Sequence, residues 1–158
     1  MTNRCFNTLE ISGEAAEIEK FLNGLKKDDE GYLLFKSYLP PIWVTKCHDF
    51  DTKLVKQDPE HLIFDFDSAW SPPVYGLDII AGLIPELDFY IEFEEPCAGF
   101  HGFAFWKEGQ LVDQICERWG YDMMLTDEDM KNLDEDVRKS ILAAREEWNM
   151  RRPQGYRD

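Results

Sequence analysis

Apolar and polar residues alternate along several short stretches of the chain, and a period of two is typical of β-strands with one buried face. Five stretches are predicted as strands on this pattern: residues 5–11, 62–67, 87–94, 100–106 and 111–116. Residues 32–38 are apolar and aromatic and are predicted as a further strand, with a short extra strand at 43–46. The charged residues 48–60 are interpreted as a loop.

Apolar residues recur at spacings of three and four in two other segments, which is the pattern of helices with one apolar face. The first helix is predicted over residues 15–26, with an apolar face formed by Ile18, Phe21, Leu22 and Leu25. The second helix ends before Pro85, and its apolar face is formed by Val74, Leu77, Ile80, Ala81 and Ile84. Ser12-Gly13 and Ser71-Pro72 are predicted to cap the two helix starts.

A third helical pattern occupies the end of the chain. It begins after Thr126, where T-D-E-D resembles a capping box with Asp in place of Glu, and it restarts at Asp134. Its apolar positions lie on one stripe: Met130, Leu133, Val137, Ile141, Ala144 and Trp148. Such a stripe must be covered. Packing on the chain's own sheet and use as a partner-binding or homodimerising helix are both open alternatives.

Two helices that interrupt a set of alternating strands fit an α+β fold of the ferredoxin-like type. We therefore predict a ferredoxin-like sandwich, with a mostly antiparallel sheet that carries two helices on one face, plus a C-terminal amphipathic helix. The other face of the sheet is expected to be open unless the terminal helix or a partner covers it. The predicted domains are a ferredoxin-like domain at 1–122 and a helical extension with a basic tail at 123–158.

The charge of the chain narrows the classes of partner. The 158 residues carry 32 acids against 17 bases, a net charge of -15, and 44% of them are hydrophobic. Residues 126–158 hold nine acids and seven bases, so the rest of the chain carries -13. Such a body repels a polyanion, which disfavours nucleic acid as a partner and favours a protein with a basic surface.

The location of the protein is interpreted from segments that the sequence does not contain. No apolar run approaches the ~20 residues of a membrane span, and the first residues lack the apolar stretch of a secretory signal. The four cysteines (Cys5, Cys47, Cys97 and Cys116) form no C-x-x-C pair. We therefore expect reduced thiols in a cytoplasmic protein that has no membrane contact.

Several separated stretches resemble one family. They are N-R-C-F-N-T-L-E-I-S-G at 3–13, F-D-S-A-W-S-P-P at 66–73, E-E-P-C-A-G-F-H-G at 94–102 and, more weakly, W-V-T-K-C at 43–47. Together they are similar to the YubB-type ferredoxin-like family of phages and plasmids, also described as Api92-like proteins. Val44 and Cys47 depart from the family's W-G-T-K-W pattern. The resemblance covers about residues 3–112, without the terminal helix, and implies the ferredoxin-like fold, a mobile-element origin and no established reaction.

Candidate binding residues come from the same stretches. Trp43, Lys46, Trp70, Glu95 and Phe100 would form a small pocket with aromatic walls, one Lys and one Glu if they converge; the alternative is that the aromatic residues are core. Glu92 and Glu94, which share one face of a strand, are further candidate binding residues, and they are interpreted as part of a solvated sheet face rather than as an acid/base pair. His48, His61 and His101 match no metal signature, and no nucleophile, phosphate-loop or dinucleotide motif occurs. We therefore predict no catalytic residue, no metal and no cofactor.

Three classes of function are compatible with these residues. The favoured one is a non-enzymatic, acidic protein-binding module of a phage or plasmid that docks on a host protein in the host cytoplasm, for example to inhibit a host defence system. The first alternative is a small-ligand binder or enzyme that uses the region around Trp43, Trp70 and Phe100, with Lys46, Glu95 and His101. The second is a single-stranded nucleic-acid binder on the open sheet face, although no basic funnel accompanies the aromatic residues.

Overall fold

The computed structural model describes residues 3–39, 49–118 and 126–153. The chain divides into two compact units, Met1–Cys116 and Glu117–Asp158. In chain order the elements are β1 (Arg4–Ser12), α1 (Ala15–Gly24), β2 (Lys26–Lys27), β3 (Leu33–Leu34), a 3-10 helix (Phe35–Tyr38), β4 (Asp49–Asp58), β5 (His61–Ala69), α2 (Val74–Leu83), β6 (Asp88–Glu95), β7 (Phe100–Lys107), β8 (Gln110–Arg118), α3 (Asp127–Lys131) and α4 (Glu135–Arg151).

The main sheet has six strands in the order β4-β5-β1-β6-β7-β8. Strand β1 is central and runs antiparallel to both β5 and β6, while β4 pairs antiparallel with β5 and β7 with β6. A helix joins β1 to β4 and another joins β5 to β6, and in each case one antiparallel strand lies between the joined pair. This is the split β-α-β arrangement of a ferredoxin-like fold, with β7 and β8 added at one edge, so the predicted α+β class is confirmed.

The core lies between the sheet and its two helices. Leu9 of β1 faces Phe64 and Ile91 on the neighbouring strands, and all three are fully buried. The ring of Phe21 on α1 meets the edge of Phe89 with 6.0 Å between the ring centroids. On α2, Leu77 and Ile80 join the same core cluster. Both helices therefore cover the same side of the sheet, as predicted, and the alternating residues of each strand supply the apolar layer beneath them.

The opposite side of the sheet is open over only part of its width. Tyr90 and Phe103 project to that side from β6 and β7, yet they are 1% and 0% exposed. By contrast, Phe6 on β1 is 44% exposed. The accessible part of this side therefore includes β1, β5 and the end of β6 at Glu94, which is exposed.

Neither predicted serine cap is present at the helix starts. The N-cap of α1 is Glu14 and that of α2 is Pro73, and neither makes a side-chain capping hydrogen bond. Ser12 still belongs to β1, where it pairs with the neighbouring strands. The Ser71 carbonyl oxygen accepts a hydrogen bond from the Ser68 hydroxyl, 2.8 Å away. Strand pairing extends β1 beyond the predicted cap, and two consecutive prolines move the start of α2 to Val74.

Two other segments differ from the prediction. Helix α1 ends at Gly24, and Lys26–Lys27 pairs with Leu33–Leu34 in a separate two-stranded ribbon. Most of the strand predicted at 32–38 is the 3-10 helix Phe35–Tyr38. The Tyr38 hydroxyl donates to the Phe21 carbonyl oxygen at 2.6 Å, so this helix packs on the end of α1. The short strand predicted at 43–46 lies outside the described residues.

The loop interpretation of residues 48–60 was wrong over most of its length, because Asp49–Asp58 forms the edge strand β4. Its pairing with β5 shifts register twice, between Phe50 and Lys53 and between Leu54 and Lys56. Each shift breaks the period of two that identifies a strand. Lys53 and Lys56 also obscure the alternation. Charged side chains of this kind commonly protect an exposed sheet edge from pairing with another chain.

The terminal unit contains both helical segments at the predicted starting points. The Thr126 hydroxyl accepts from the Asp129 backbone N–H, and the Asp129 carboxylate accepts from the Thr126 backbone N–H, so the capping box is confirmed. Hydrogen bonds from Thr126 lower the pKa of Asp129. Helix α4 restarts with Asp134 as its N-cap. Along the predicted stripe, Met130 and Ile141 are buried, Leu133 and Trp148 are half-buried, and Val137 is exposed. The dimer interpretation stays a prediction.

Candidate functional site

Three of the four sequence motifs meet at one end of the main sheet. Strand pairing places Cys5 opposite Ser68, and Phe6 opposite Glu94. The start of β1, the end of β5 and the end of β6 therefore lie side by side, although they are separated by about 60 and 30 residues in the chain. This end of the sheet is the candidate site. The fourth motif, with Trp43 and Lys46, lies outside the described residues.

A buried polar network ties the three motifs together on the side of the sheet that faces the helices. Asn7 is 4% exposed, and its side-chain amide donates to the Cys5 carbonyl at 2.9 Å, the Phe66 carbonyl at 3.2 Å and the Ser68 hydroxyl at 2.9 Å. The Ser68 hydroxyl donates onward to the carbonyl of Ser71. The network thus connects β1 to the corner from which α2 begins. Buried polar groups need such partners, so these residues have a clear structural role.

Cys5 lies within this network and is fully buried. Burial, reinforced by the nearby carboxylates of Glu95 and Asp67, raises the pKa of its thiol to about 12. The thiolate is the reactive form of cysteine, so at neutral pH Cys5 is an unreactive, protonated side chain. It therefore does not supply a nucleophile to the site.

We expect alkylation to distinguish Cys5 from the exposed cysteines. In the native protein at neutral pH, iodoacetamide should modify Cys97 and Cys116, which are both exposed, and should modify Cys5 at least about a hundredfold more slowly, because the thiolate fraction is small and the sulfur is buried. Peptide mapping by mass spectrometry measures each site. In urea the difference should disappear. Native modification of Cys5 at the pace of Cys97 would contradict this assignment.

Glu95, a predicted binding residue, is fully buried at the end of β6. Its carboxylate accepts hydrogen bonds from the backbone N–H groups of Cys97, at 3.2 Å, and Ala98. Its carbonyl oxygen accepts from the N–H of Gly99, at 2.9 Å, and Gly99 has the left-handed φ of 70°. The side chain and main chain of Glu95 therefore both hold the turn between β6 and β7.

The other predicted pocket residues lie in different environments. Phe100 is the register partner of Glu95 and is half-buried, with its ring 6.2 Å from that of Phe93. Trp70 follows β5 at the same end and is 59% exposed. His101 is buried on the opposite side of β7 from Phe100, because neighbouring residues of a strand point to opposite faces. The structure therefore brings Glu95 and Phe100 together and keeps His101 away from them.

An apolar cavity lies close to this end of the sheet, between the 3-10 helix and α2. It is lined by Phe35, Lys36, Leu39, Phe66, Pro73, Gly76, Leu77 and Ile80, and its volume is about 20 Å³. A space of that size holds about one water molecule. It is much smaller than a pocket for a metabolite, so it gives no support to the small-ligand alternative.

Carboxylates surround an exposed aromatic ring on the side of the sheet away from the helices. Phe6 has Asp67 as its cross-strand neighbour on β5 and Glu94 on β6; one row further along, Thr8 lies between Asp65 and Glu92. Asp65 and Glu94 are exposed, while Asp67 and Glu92 are half-buried. We call this surface, formed by Phe6, Asp65, Asp67, Glu92 and Glu94, the acidic face. The predicted solvated face at Glu92 and Glu94 is part of it.

Hydrogen bonds hold two of these carboxylates in place. The Thr8 hydroxyl donates to Asp65 at 2.9 Å, and the Arg4 guanidinium contacts Asp67 at 2.8 Å. Nearby, His61 lies 3.0 Å from Glu10. Across residues 3–39, 49–118 and 126–153, no group of three or more His, Cys, Asp or Glu side chains is placed to hold a metal ion. Within that same part of the chain, no helix has the length and apolar character needed to cross a membrane.

Comparison with known proteins agrees with the fold. The family model described as the ferredoxin-like domain in Api92-like protein matches residues 49–137, more than half of the chain. The chain therefore belongs to the Api92-like family. The match reaches residue 137, beyond the motif resemblance at 3–112, and so includes α3 and the start of α4. No curated protein matches the chain.

One solved structure is similar over part of the chain. It is a crystal structure of protein api92 from Yersinia pseudotuberculosis, with 20% sequence identity and a TM-score of 0.38. The similarity covers 44% of this chain and 24% of that chain. The chain thus matches about a quarter of the length of that protein.

Proposed function

We propose that this protein is a non-enzymatic binding module, encoded by a phage or plasmid, that docks its acidic face on a basic surface of a host protein. A component of a host defence system is the specific target that we propose, on the basis of the mobile-element origin that the family resemblance implies. The chain's net charge of -15 supports a cationic partner. Charge complementarity of this kind speeds encounter and excludes partners of like charge.

The observation that carries the proposal is the position of Phe6. This residue is 44% exposed at one end of β1, an inner strand of the sheet, with Asp67 and Glu94 as its direct cross-strand neighbours. Protein interfaces commonly combine a central aromatic contact with a surrounding polar rim. The same arrangement argues against single-stranded nucleic acid, because the carboxylates next to the ring would repel phosphates.

The proposal predicts a partner whose capture depends on two exposed carboxylates. Asp65→Asn with Glu94→Gln removes two charges from the acidic face and should weaken association about fivefold at low salt. Wild-type and variant proteins are immobilised, exposed to bacterial lysate at about 50 mM and about 500 mM salt, and compared by quantitative mass spectrometry. The expected result is one host protein whose recovery falls both in the variant and at high salt.

The control carries the same change in charge outside the acidic face. Glu19→Gln with Glu86→Gln also neutralises two exposed carboxylates, and this pair should retain the captured protein. Equal loss in the control would mean that only total charge matters and would refute docking through the acidic face. Docking through the acidic face would also be refuted if the set of captured proteins were the same for wild type, for the Asp65/Glu94 variant and at high salt.

A further inference from the structure

The corner between β5 and α2 holds Trp70 in an uncommon backbone conformation. Its φ is 69°, in the left-handed region where glycine is favoured and bulky residues are rare. The Ser71 N–H donates to the Ala69 carbonyl at 2.8 Å, and the Trp70 N–H donates to the Asn3 carbonyl at 2.9 Å. The first bond closes a three-residue turn around Trp70, and with a positive central φ such a turn is strained. The second fixes the turn to the residue that directly precedes β1.

Burial of the Trp70 side chain does little to offset this strain. The residue is 59% exposed, whereas a Trp kept for stability is mostly buried. Among the described residues, the other non-glycine with positive φ is Glu108, at 52°. Glu108 precedes Gly109 in the β7–β8 hairpin, where a two-residue turn requires positive φ. No comparable geometric reason calls for an indole at position 70, and strain kept at an exposed side chain points to a function.

We infer that Trp70 is a binding residue that stacks on an arginine side chain of the partner. This inference rests on the proposed function, which makes the partner cationic. Trp70 follows the end of β5, which carries Asp67, and its backbone N–H is bonded to Asn3, which directly precedes β1 and lies three residues before Phe6. Tryptophan is the aromatic side chain that attracts a guanidinium most strongly, and Trp and Arg are enriched among the residues that dominate interface energies.

The test measures stability and binding on the same variants. Trp70→Gly relieves the backbone strain and removes the indole, so it should unfold at a urea concentration no lower than that of wild type. Its affinity for nona-arginine, measured by calorimetry at low salt, should fall about fivefold to tenfold. Trp70→Tyr keeps an aromatic ring and should retain most of the affinity. Leu83→Ala, which shortens a side chain that is 61% exposed on α2, should bind like wild type.

The outcomes distinguish a failure of the inference alone from a failure of the proposed function. Unchanged affinity in Trp70→Gly would overturn the role of the indole, and so would a clear loss of stability, since Trp70 would then be a structural residue. If wild type itself fails to bind nona-arginine, both the inference and the proposed function fall. If Trp70→Gly weakens binding while Asp65→Asn with Glu94→Gln does not, the Trp70 contact stands and docking through the acidic face is refuted.

Discussion

Replacing Gly102 by alanine is expected to destabilise the protein by about 3 kcal/mol, near the upper end of the usual cost of overpacking. A Cβ at this position would lie 2.1 Å from the Ile115 carbonyl oxygen and 2.5 Å from the Phe93 ring. The first contact is with the backbone of β8, which can yield only if β7 and β8 separate. In a chain of this length the change corresponds to a fall in the melting temperature of about 10 °C.

Gly82 offers a matched control for this substitution. It lies within α2, and the nearest atom to an added Cβ is the Gly109 carbonyl oxygen at 4.0 Å. Because the site has room and alanine is the better helix former, Gly82→Ala should stabilise the protein by about 0.5–1 kcal/mol. Urea unfolding followed by circular dichroism would measure both variants. A Gly102→Ala midpoint equal to that of wild type would show that the two strands are not packed as described.

The second large effect is expected at Glu95, whose substitution by alanine should cost roughly 2 kcal/mol. The change removes a fully buried carboxylate that accepts two backbone N–H groups, those of Cys97 and Ala98. Hydrogen bonds to charged groups contribute more than neutral ones, and the substitution also leaves a cavity at the end of β6. The free energy of unfolding, again from urea titration, gives the measurement.

The neighbouring residue Glu94 is the control, because it carries the same side chain on the opposite face of β6 and is exposed. Glu94→Ala should change stability by less than about 0.5 kcal/mol and should weaken capture of the cationic partner. We expect the reverse at position 95, with stability reduced and the residual folded protein binding normally. If the two variants are equally stable, the carboxylate of Glu95 does not hold the β6–β7 turn.

This contrast follows from strand geometry. Successive side chains of a strand point to opposite faces, so Glu94 lies on the acidic face while Glu95 lies beneath the helices, next to the network of Cys5, Asn7 and Ser68. Adjacent glutamates in the motif therefore have separate roles. One supports the end of the sheet, and the other contributes charge to the proposed docking surface.

Residue periodicity predicts the strands and helices correctly where one face of the element is buried and the other is exposed to solvent. Leu62, Phe64 and Phe66 are all buried as their alternation predicted. The capping box at Thr126 is also predictable from the sequence, because its two partners, Thr126 and Asp129, are only three residues apart in the chain. Strand β4 was missed, since its two register shifts destroy the alternation. The helix caps at Ser12 and Ser71 were wrong because strand pairing and two prolines override local capping preference.

The candidate site was harder to anticipate than the fold. The motifs around Cys5, Trp70 and Glu95 are visible in the sequence. They are tens of residues apart, however, and the local sequence does not show which of them are in contact. Nor does residue type distinguish a buried glutamate from an exposed one, or a core tryptophan from a solvated one. Trp70 and Glu95 were placed together in a predicted pocket, whereas one is 59% exposed and the other fully buried.

The amino-acid sequence by itself determined the acidic character of the protein, the period of most strands and helices, and the ferredoxin-like class. These properties depend on composition and on neighbours a few residues apart. Only the tertiary structure decided that Phe6 lies between Asp67 and Glu94, that Gly102 contacts the backbone of β8, and that Trp70 adopts a left-handed backbone. Each of these depends on the register between distant strands, which the packing of the whole sheet selects.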